Sequence, residues 1–370
     1  MVRYEYHILQ ESLLKLKLNS ILSGVFQALF SFVIGGMFGL ICFMSLLYFS
    51  RIKYGLDASL DHGISEGRMS RLGGLSICLS IIVCFLLSVI FDQRYYTAIN
   101  LLGFEWIALA IGFVGLFEDI KQGFSPYFRL LLTILVFAGA LAISPDFFPD
   151  KIHFYFLSDY LNHPYLLVLA SIFLLAGFTH AGNMVDGANG LLAITVISPL
   201  ALVYSLTGEA FYLYLCLCLL VFTFFNVTTG KIFLGDFGAY FFSSLAMLSL
   251  YYLYDAFEIS VWMLVALVSY PCLEIVRSII ERLERGRSPL LSDNNHAHNH
   301  VHRYFRNLGL SPLVANSMTG ILIGVVFSTL PFLLYLFEFL TVTSNQWIIV
   351  IIFEAFALWG LLKLFTRNIE

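Results

Sequence analysis

The sequence predicts an all-α integral membrane protein, a single bundle of about eleven transmembrane helices, and three observations predict it. Of its 370 residues, 59% are apolar or aromatic and only 12% charged, with a mean hydropathy of +0.87. A soluble domain of this size carries about 25% charged residues. Runs long enough for the roughly 20-residue span of a bilayer core recur along the whole chain. Aromatic side chains, 16% of the total, suit lipid-facing and interfacial surfaces. A soluble enzyme is excluded. So is a nucleic-acid binder, because no basic stripe interleaves with aromatics.

In chain order, the first twenty residues include His7, Glu11, Lys15 and Lys17, which is no signal-peptide pattern. Segment 1–22 reads as interfacial, and 23–370 as one polytopic domain. Apolar runs follow near 23–50, 72–91, 98–117, 128–144, 164–180, 190–207, 210–226, 238–254, 259–276, 313–338 and 346–365. The loops near 51–71, 118–129, 180–189, 227–237 and 277–312, with the tail after 362, hold fifteen of the twenty Lys and Arg. The positive-inside rule makes that face cytoplasmic, with the N-terminus outside and the C-terminus inside. The largest exterior loop, 145–163, reads as an aromatic interfacial hairpin. The six cysteines lie inside apolar runs and none forms a CxxC, so they read as small buried hydrophobes rather than disulfides or zinc ligands.

Four segments on the basic face concentrate polar chemistry. Glu118-Asp119 closes a span with Lys121 close behind, and Ser125 to Arg129 follow. Paired acids there can hold a divalent cation or act as a base; an ordinary polar helix end is the plain alternative. In Asn183-Met184-Val185-Asp186-Gly187-Ala188-Asn189-Gly190-Leu191, two glycines flank an amide behind a carboxylate. A helix cap and turn would need one Gly and no acid, so a site is favoured. Between Asn226 and Gly238, Asp236 stands at a span mouth, with Lys231 able to meet a phosphate and Phe233 able to stack on a base. Arg285, Arg287, His296, His298, His300 and His302 suit a pyrophosphate, or alternatively Zn²⁺ or Ni²⁺ in a histidine loop. Hard carboxylates beside a basic loop on one membrane face point to a Mg²⁺-dependent phosphotransferase acting on a lipid.

Gly55-Leu56-Asp57, Arg71-Leu72-Gly73-Gly74, Glu118-Asp119, residues 183–191, 233–238 and 288–298 occur together, in order, on that face. In this the chain resembles the polyprenyl-phosphate N-acetylhexosamine-1-phosphate transferases of the glycosyltransferase family 4 type. The resemblance implies transfer of HexNAc-1-phosphate from a UDP-N-acetylhexosamine to undecaprenyl phosphate. The products would be undecaprenyl-diphospho-HexNAc and UMP, starting a lipid-linked surface glycan such as O-antigen at the bacterial inner membrane. It implies Mg²⁺, with Mn²⁺ as the alternative, held by Asp236 with Asn183 second. Catalysis would fall to Asp119, Glu118 and Asp186. Lys121, Asn226, Phe233, Arg287, His296 and His298 would bind substrate, and a second copy of the chain is the partner in a homodimer. Glu118 stands where Asp is common, Asn189 where a second Asp is common, and His180 where Asn is common. The rival reading is a divalent-metal transporter with a histidine-rich cytoplasmic loop. Transporter charges sit near mid-span, whereas these acids lie at span ends, Glu354 excepted.

Overall fold

A computed structural model describes residues 35–52, 69–91, 101–121, 123–149, 151, 163–288 and 295–366. The interfacial segment 1–22, Gly55-Leu56-Asp57 and residues 289–294 lie outside them, as does most of 145–163, of which Pro145–Phe147 forms one 3₁₀ turn.

The described chain is helical. Its helices are α1 (Gly35–Phe49), α2 (Gly73–Phe91), α3 (Glu105–Lys121), α4 (Pro126–Ile143), α5 (Pro164–Val185), α6 (Leu191–Thr207), α7 (Ala210–Thr229), α8 (Gly235–Phe257), α9 (Val261–Leu267), α10 (Ser269–Glu284), α11 (Ala297–Asn307), α12 (Pro312–Leu336) and α13 (Trp347–Thr366). The described part of each apolar run falls on one of them, except that 259–276 is divided between α9 and α10. By length and composition, 5 helices can cross a membrane, or 6 when α9 and α10 count as one broken span. The count of about eleven and the sidedness of the termini rest on the sequence alone.

Helix α8 is the axis. Phe237, Ala239, Tyr240, Phe242, Leu245, Ala246, Leu250 and Leu253 are all buried, so it is covered round its whole circumference, as a core helix is. Helix α3 packs along it most extensively, with α2, α5 and α6 alongside. Helices α4 and α13 instead turn Leu131, Leu135, Phe353, Phe356 and Trp359 outward. Contiguous exposed apolar surface of this kind belongs against lipid.

The break between α9 and α10 bends the chain by 80°, and proline explains it. Pro271 has no N–H for the Leu267 carbonyl four residues back, and its ring crowds that carbonyl. Pro199 inside α6 likewise deprives the Thr195 carbonyl, and Pro331 in α12 deprives that of Phe327. Two buried hydroxyls lie within reach of these carbonyls: Ser328 Oγ is 2.8 Å from that of Leu267 and 3.0 Å from that of Thr195, its one hydrogen serving either, and Ser269 Oγ donates to Phe327 at 3.3 Å. Freed carbonyls in a bundle core need such partners.

Candidate active site

Helices α3, α5 and α7 end, and α6, α8 and α12 begin, at the same end of the bundle. A short parallel contact draws the start of α2 to the start of α8. Ser70 N–H donates to the Lys231 carbonyl at 3.1 Å, Phe233 N–H to that of Ser70 at 2.8 Å, and Gly73 N–H to that of Phe233 at 2.9 Å. Gly235 then turns the chain into α8 with φ +74°, its α-carbon against the Arg71 carbonyl, where a side chain has neither the conformation nor the room. On α3, Gly115 lies against the Asp236 carbonyl, so the two helices approach at backbone distance. One turn later on α3 comes Asp119.

That approach places the Asp119 carboxylate on the first turn of α8. It accepts the N–H of Asp236 at 3.1 Å and that of Phe237 at 2.9 Å, and is 2% exposed. Helix N-termini favour an anion, yet other forces oppose it here. Burial, then repulsion from Asp236, raise the Asp119 pKa to about 7 against the pull of the two N–H donors and Arg71. Asp186, the cap residue ending α5, is raised well above the ordinary carboxylate value by burial, then by Asp236 and Asp119; the Gly235 N–H and Arg71 oppose this. Asp236 meets the Arg129 guanidinium at 3.4 Å. Three acids from three separated stretches therefore converge, with Arg71 and Arg129 as countercharges. Both arginines stand in segments the sequence singles out, Arg71 before Leu72-Gly73-Gly74 and Arg129 after the acid pair, but neither carries a site role in that reading.

Other expected site residues sit differently. Glu118 was expected to be catalytic; instead its two oxygens accept the N–H groups of Gly123 and Phe124 at 3.3 and 3.1 Å, closing the turn into α4. Its extra methylene is what gives it that reach. Asn226 was expected to bind substrate, but it is 1% exposed and both ends of its amide are engaged. Oδ1 accepts from Gly190 N–H at 2.6 Å and Nδ2 donates to the Ile232 carbonyl at 2.7 Å. It ties two site loops together from behind. Phe233, expected to stack on a base, is 8% exposed and offers no open face. Lys121 and Arg287 are exposed at the rim, and Asn183 is partly exposed one turn before Asp186 on α5. Asn189 is pinned to α12: its N–H donates to Asn316 Oδ1 at 2.7 Å and its amide to Ser317 Oγ at 3.1 Å.

The histidines do not form a metal loop. His296 caps the start of α11 and stacks on His298 with ring centroids 5.3 Å apart. His300 turns elsewhere, to Asn295 Oδ1 at 2.9 Å. Among the described residues no three His, Cys, Asp or Glu are grouped to hold a metal by themselves. His298 Nε2 points at Gly187, in contact range of where a Cβ there would stand. Burial, then His296, lower the His298 pKa to about 3, so the ring is neutral. On the other flank, His180 Nδ1 lies 3.2 Å from the Tyr240 hydroxyl. Glu354 stands apart in α13 beside Cys272, 1% exposed, with neither oxygen hydrogen-bonded among the described residues.

Comparison with known proteins agrees with this geometry. Residues 101–253, which carry Asp119, Asp186 and Asp236, match the family model described as glycosyl transferase family 4. Over 287 residues the chain is 26% identical to the probable undecaprenyl-phosphate N-acetylglucosaminyl 1-phosphate transferase of Bacillus subtilis, spanning 75% of this chain and 76% of that protein. It is 27% identical over 186 residues to a phospho-N-acetylmuramoyl-pentapeptide-transferase of Staphylococcus aureus, spanning 45% of this chain and 57% of that one.

Proposed function

We propose that this chain, whose residues 101–253 match the glycosyl transferase family 4 model, is a glycosyl-1-phosphate transferase that moves HexNAc-1-phosphate from a UDP-N-acetylhexosamine to undecaprenyl phosphate. The site would face the cytoplasm of a bacterial inner membrane, and the product would start a lipid-linked glycan. The observation that carries this reading is the convergence of Asp119, Asp186 and Asp236 at one end of a membrane bundle, with Arg71 and Arg129 among them.

In the reaction, an oxygen of the lipid phosphate bonds to the phosphorus bearing the sugar. The bond from that phosphorus to the bridging oxygen breaks, and UMP leaves. Asp119, a carboxylate held at the mouth of α8 beside Asp236, would take the proton of a phosphate monoester and leave it more nucleophilic. Arg129 and Arg71 offset the negative charge gathered there.

The donor set fits Mg²⁺: it is made of hard oxygens, and two arginines leave three clustered carboxylates short of positive charge. Asp236 would hold the ion, with Asn183 as the second ligand and substrate phosphates completing its shell. Bound there, Mg²⁺ neutralises charge on the transferring phosphoryl group.

The test supplies purified protein with undecaprenyl phosphate, Mg²⁺ and a panel of UDP-HexNAc donors, and measures UMP. Release with at least one donor, abolished by EDTA and by Asp236→Asn in a normally expressed protein, is expected. No UMP from any donor would overturn the reading, and near-normal turnover in Asp236→Asn would remove the metal assignment.

A further inference from the structure

His296 and His298 are held by partners of opposite hydrogen-bonding character, both on one face of α10. Glu274 is fully buried, and its Oε1 lies 3.1 Å from His296 Nδ1. The same carboxylate accepts from Arg277 Nη2 at 2.6 Å and Nε at 3.0 Å, from Ser278 Oγ at 3.2 Å and from Ala297 N–H at 3.2 Å. Ion-paired and surrounded by donors, Glu274 can only accept. The proton of His296 therefore sits on Nδ1, and in the neutral ring the lone pair is on Nε2.

Tyr270 lies one turn earlier, i to i+4 from Glu274. Its hydroxyl accepts the backbone N–H of His298 at 3.1 Å and lies 3.1 Å from His298 Nδ1. Tyr270 is wholly buried, so its own hydrogen needs an acceptor. Among the described residues, that acceptor is His298 Nδ1. His298, which burial keeps neutral, then carries its single ring hydrogen on Nε2, the atom facing Gly187 and the Asp186 turn. The other ionisable groups around this ring are His296, Glu274, Arg277 and His302.

We propose that Tyr270 and Glu274 are positioning residues that hold the stacked histidines in opposite tautomers, His298 with its hydrogen on Nε2 and His296 with its hydrogen on Nδ1. His298, whose Nε2–H faces the Asp186 turn, is thereby matched to a ligand offering an oxygen acceptor, as the acetamido and hydroxyl groups of a hexosamine do. That ligand assignment rests on the preceding reading; the tautomers do not.

The test uses the full-length protein in detergent with ¹⁵N-labelled histidine. Long-range proton–nitrogen spectra report each ring's tautomer, the two rings being assigned from His296→Asn and His298→Asn. The expected result is Nδ1–H for His296 and Nε2–H for His298. Tyr270→Phe, which removes one oxygen, should shift the His298 signals. Glu274→Gln, whose amide can donate to Nδ1, should shift those of His296. Tyr270→Phe should raise KM for the UDP-HexNAc about tenfold, the scale of one hydrogen bond, without moving KM for undecaprenyl phosphate. Both rings in one tautomer, or signals unmoved by the variants, would overturn the inference whatever the activity. Unmoved donor KM in Tyr270→Phe would overturn the substrate contact. The expected spectra from a protein that turns over no UDP-HexNAc would overturn the preceding reading and uphold the tautomers.

Discussion

Helix α3 carries a buried carboxylate at each end, about 21 Å apart at 1.5 Å per residue, and the two behave differently. Glu105 is 6% exposed and accepts from Leu102 N–H at 2.9 Å, Gly103 N–H at 2.7 Å and the Tyr212 hydroxyl at 2.6 Å. It borders an apolar cavity of about 260 Å³ with Trp106, Leu109 and Phe241. Asp119, at the other end, also accepts two backbone N–H groups, but two further carboxylates crowd it. Burial and capping are therefore common to a structural acid and a working one. What separates them is like charge that the protein gathers and does not fully compensate.

That contrast can be broken directly. Asp119→Asn keeps an oxygen to cap α8 but removes the base, and should lower UMP release by about 10²–10⁴-fold with the thermal unfolding temperature nearly unchanged. Glu105→Gln should do the reverse: near-normal turnover, with stability reduced by roughly 1–3 kcal/mol for a weakened buried acceptor. Equal losses of turnover in both would erase the distinction.

A smaller effect comes from the histidine side. Burial holds the His298 pKa at about 3 in the folded state against an ordinary 6.5, so below 6.5 the unfolded chain binds a proton that the native protein does not. Its contribution is complete above pH 6.5 and is lost as pH falls towards 3, at up to roughly 1.4 kcal/mol per pH unit. Thermal unfolding of wild type and His298→Asn between pH 7.5 and 5 should show the wild type falling faster; parallel curves would place a charged ring there. The smallest effect belongs to Glu118. Shortening it to Asp should preserve chemistry and cost about 0.5–2 kcal/mol, the scale of a lost cap, because the carboxylate no longer reaches Gly123 and Phe124. A catalytic collapse in Glu118→Asp with an intact fold would return Glu118 to the reacting atoms.

The helices were legible because apolar runs of spanning length have few other fates in a chain so poor in charge. The division of 259–276 was hidden by that same continuity, although Pro271 marked it. Asp186 and Asp236 could be read because each stands beside glycine at a span mouth, and Asp119 because it pairs with Glu118 at the end of one. The engagement of Glu118 and Asn226 with backbone groups could not, since their partners are fixed only when loops distant in sequence meet. Tyr270 and Glu274 lay inside an apolar run, where a polar side chain at i and i+4 reveals nothing until α11 docks against it.

Ser328 has one hydrogen and two carbonyls within reach, those of Thr195 and Leu267. Whichever it serves, the other waits, and exchanging them takes only a rotation of the hydroxyl. The crossing of α6, α12 and the broken helix thus keeps one hydrogen bond in either setting of that hydroxyl. The half of the broken helix beyond it, α10, is the one that carries the histidine supports.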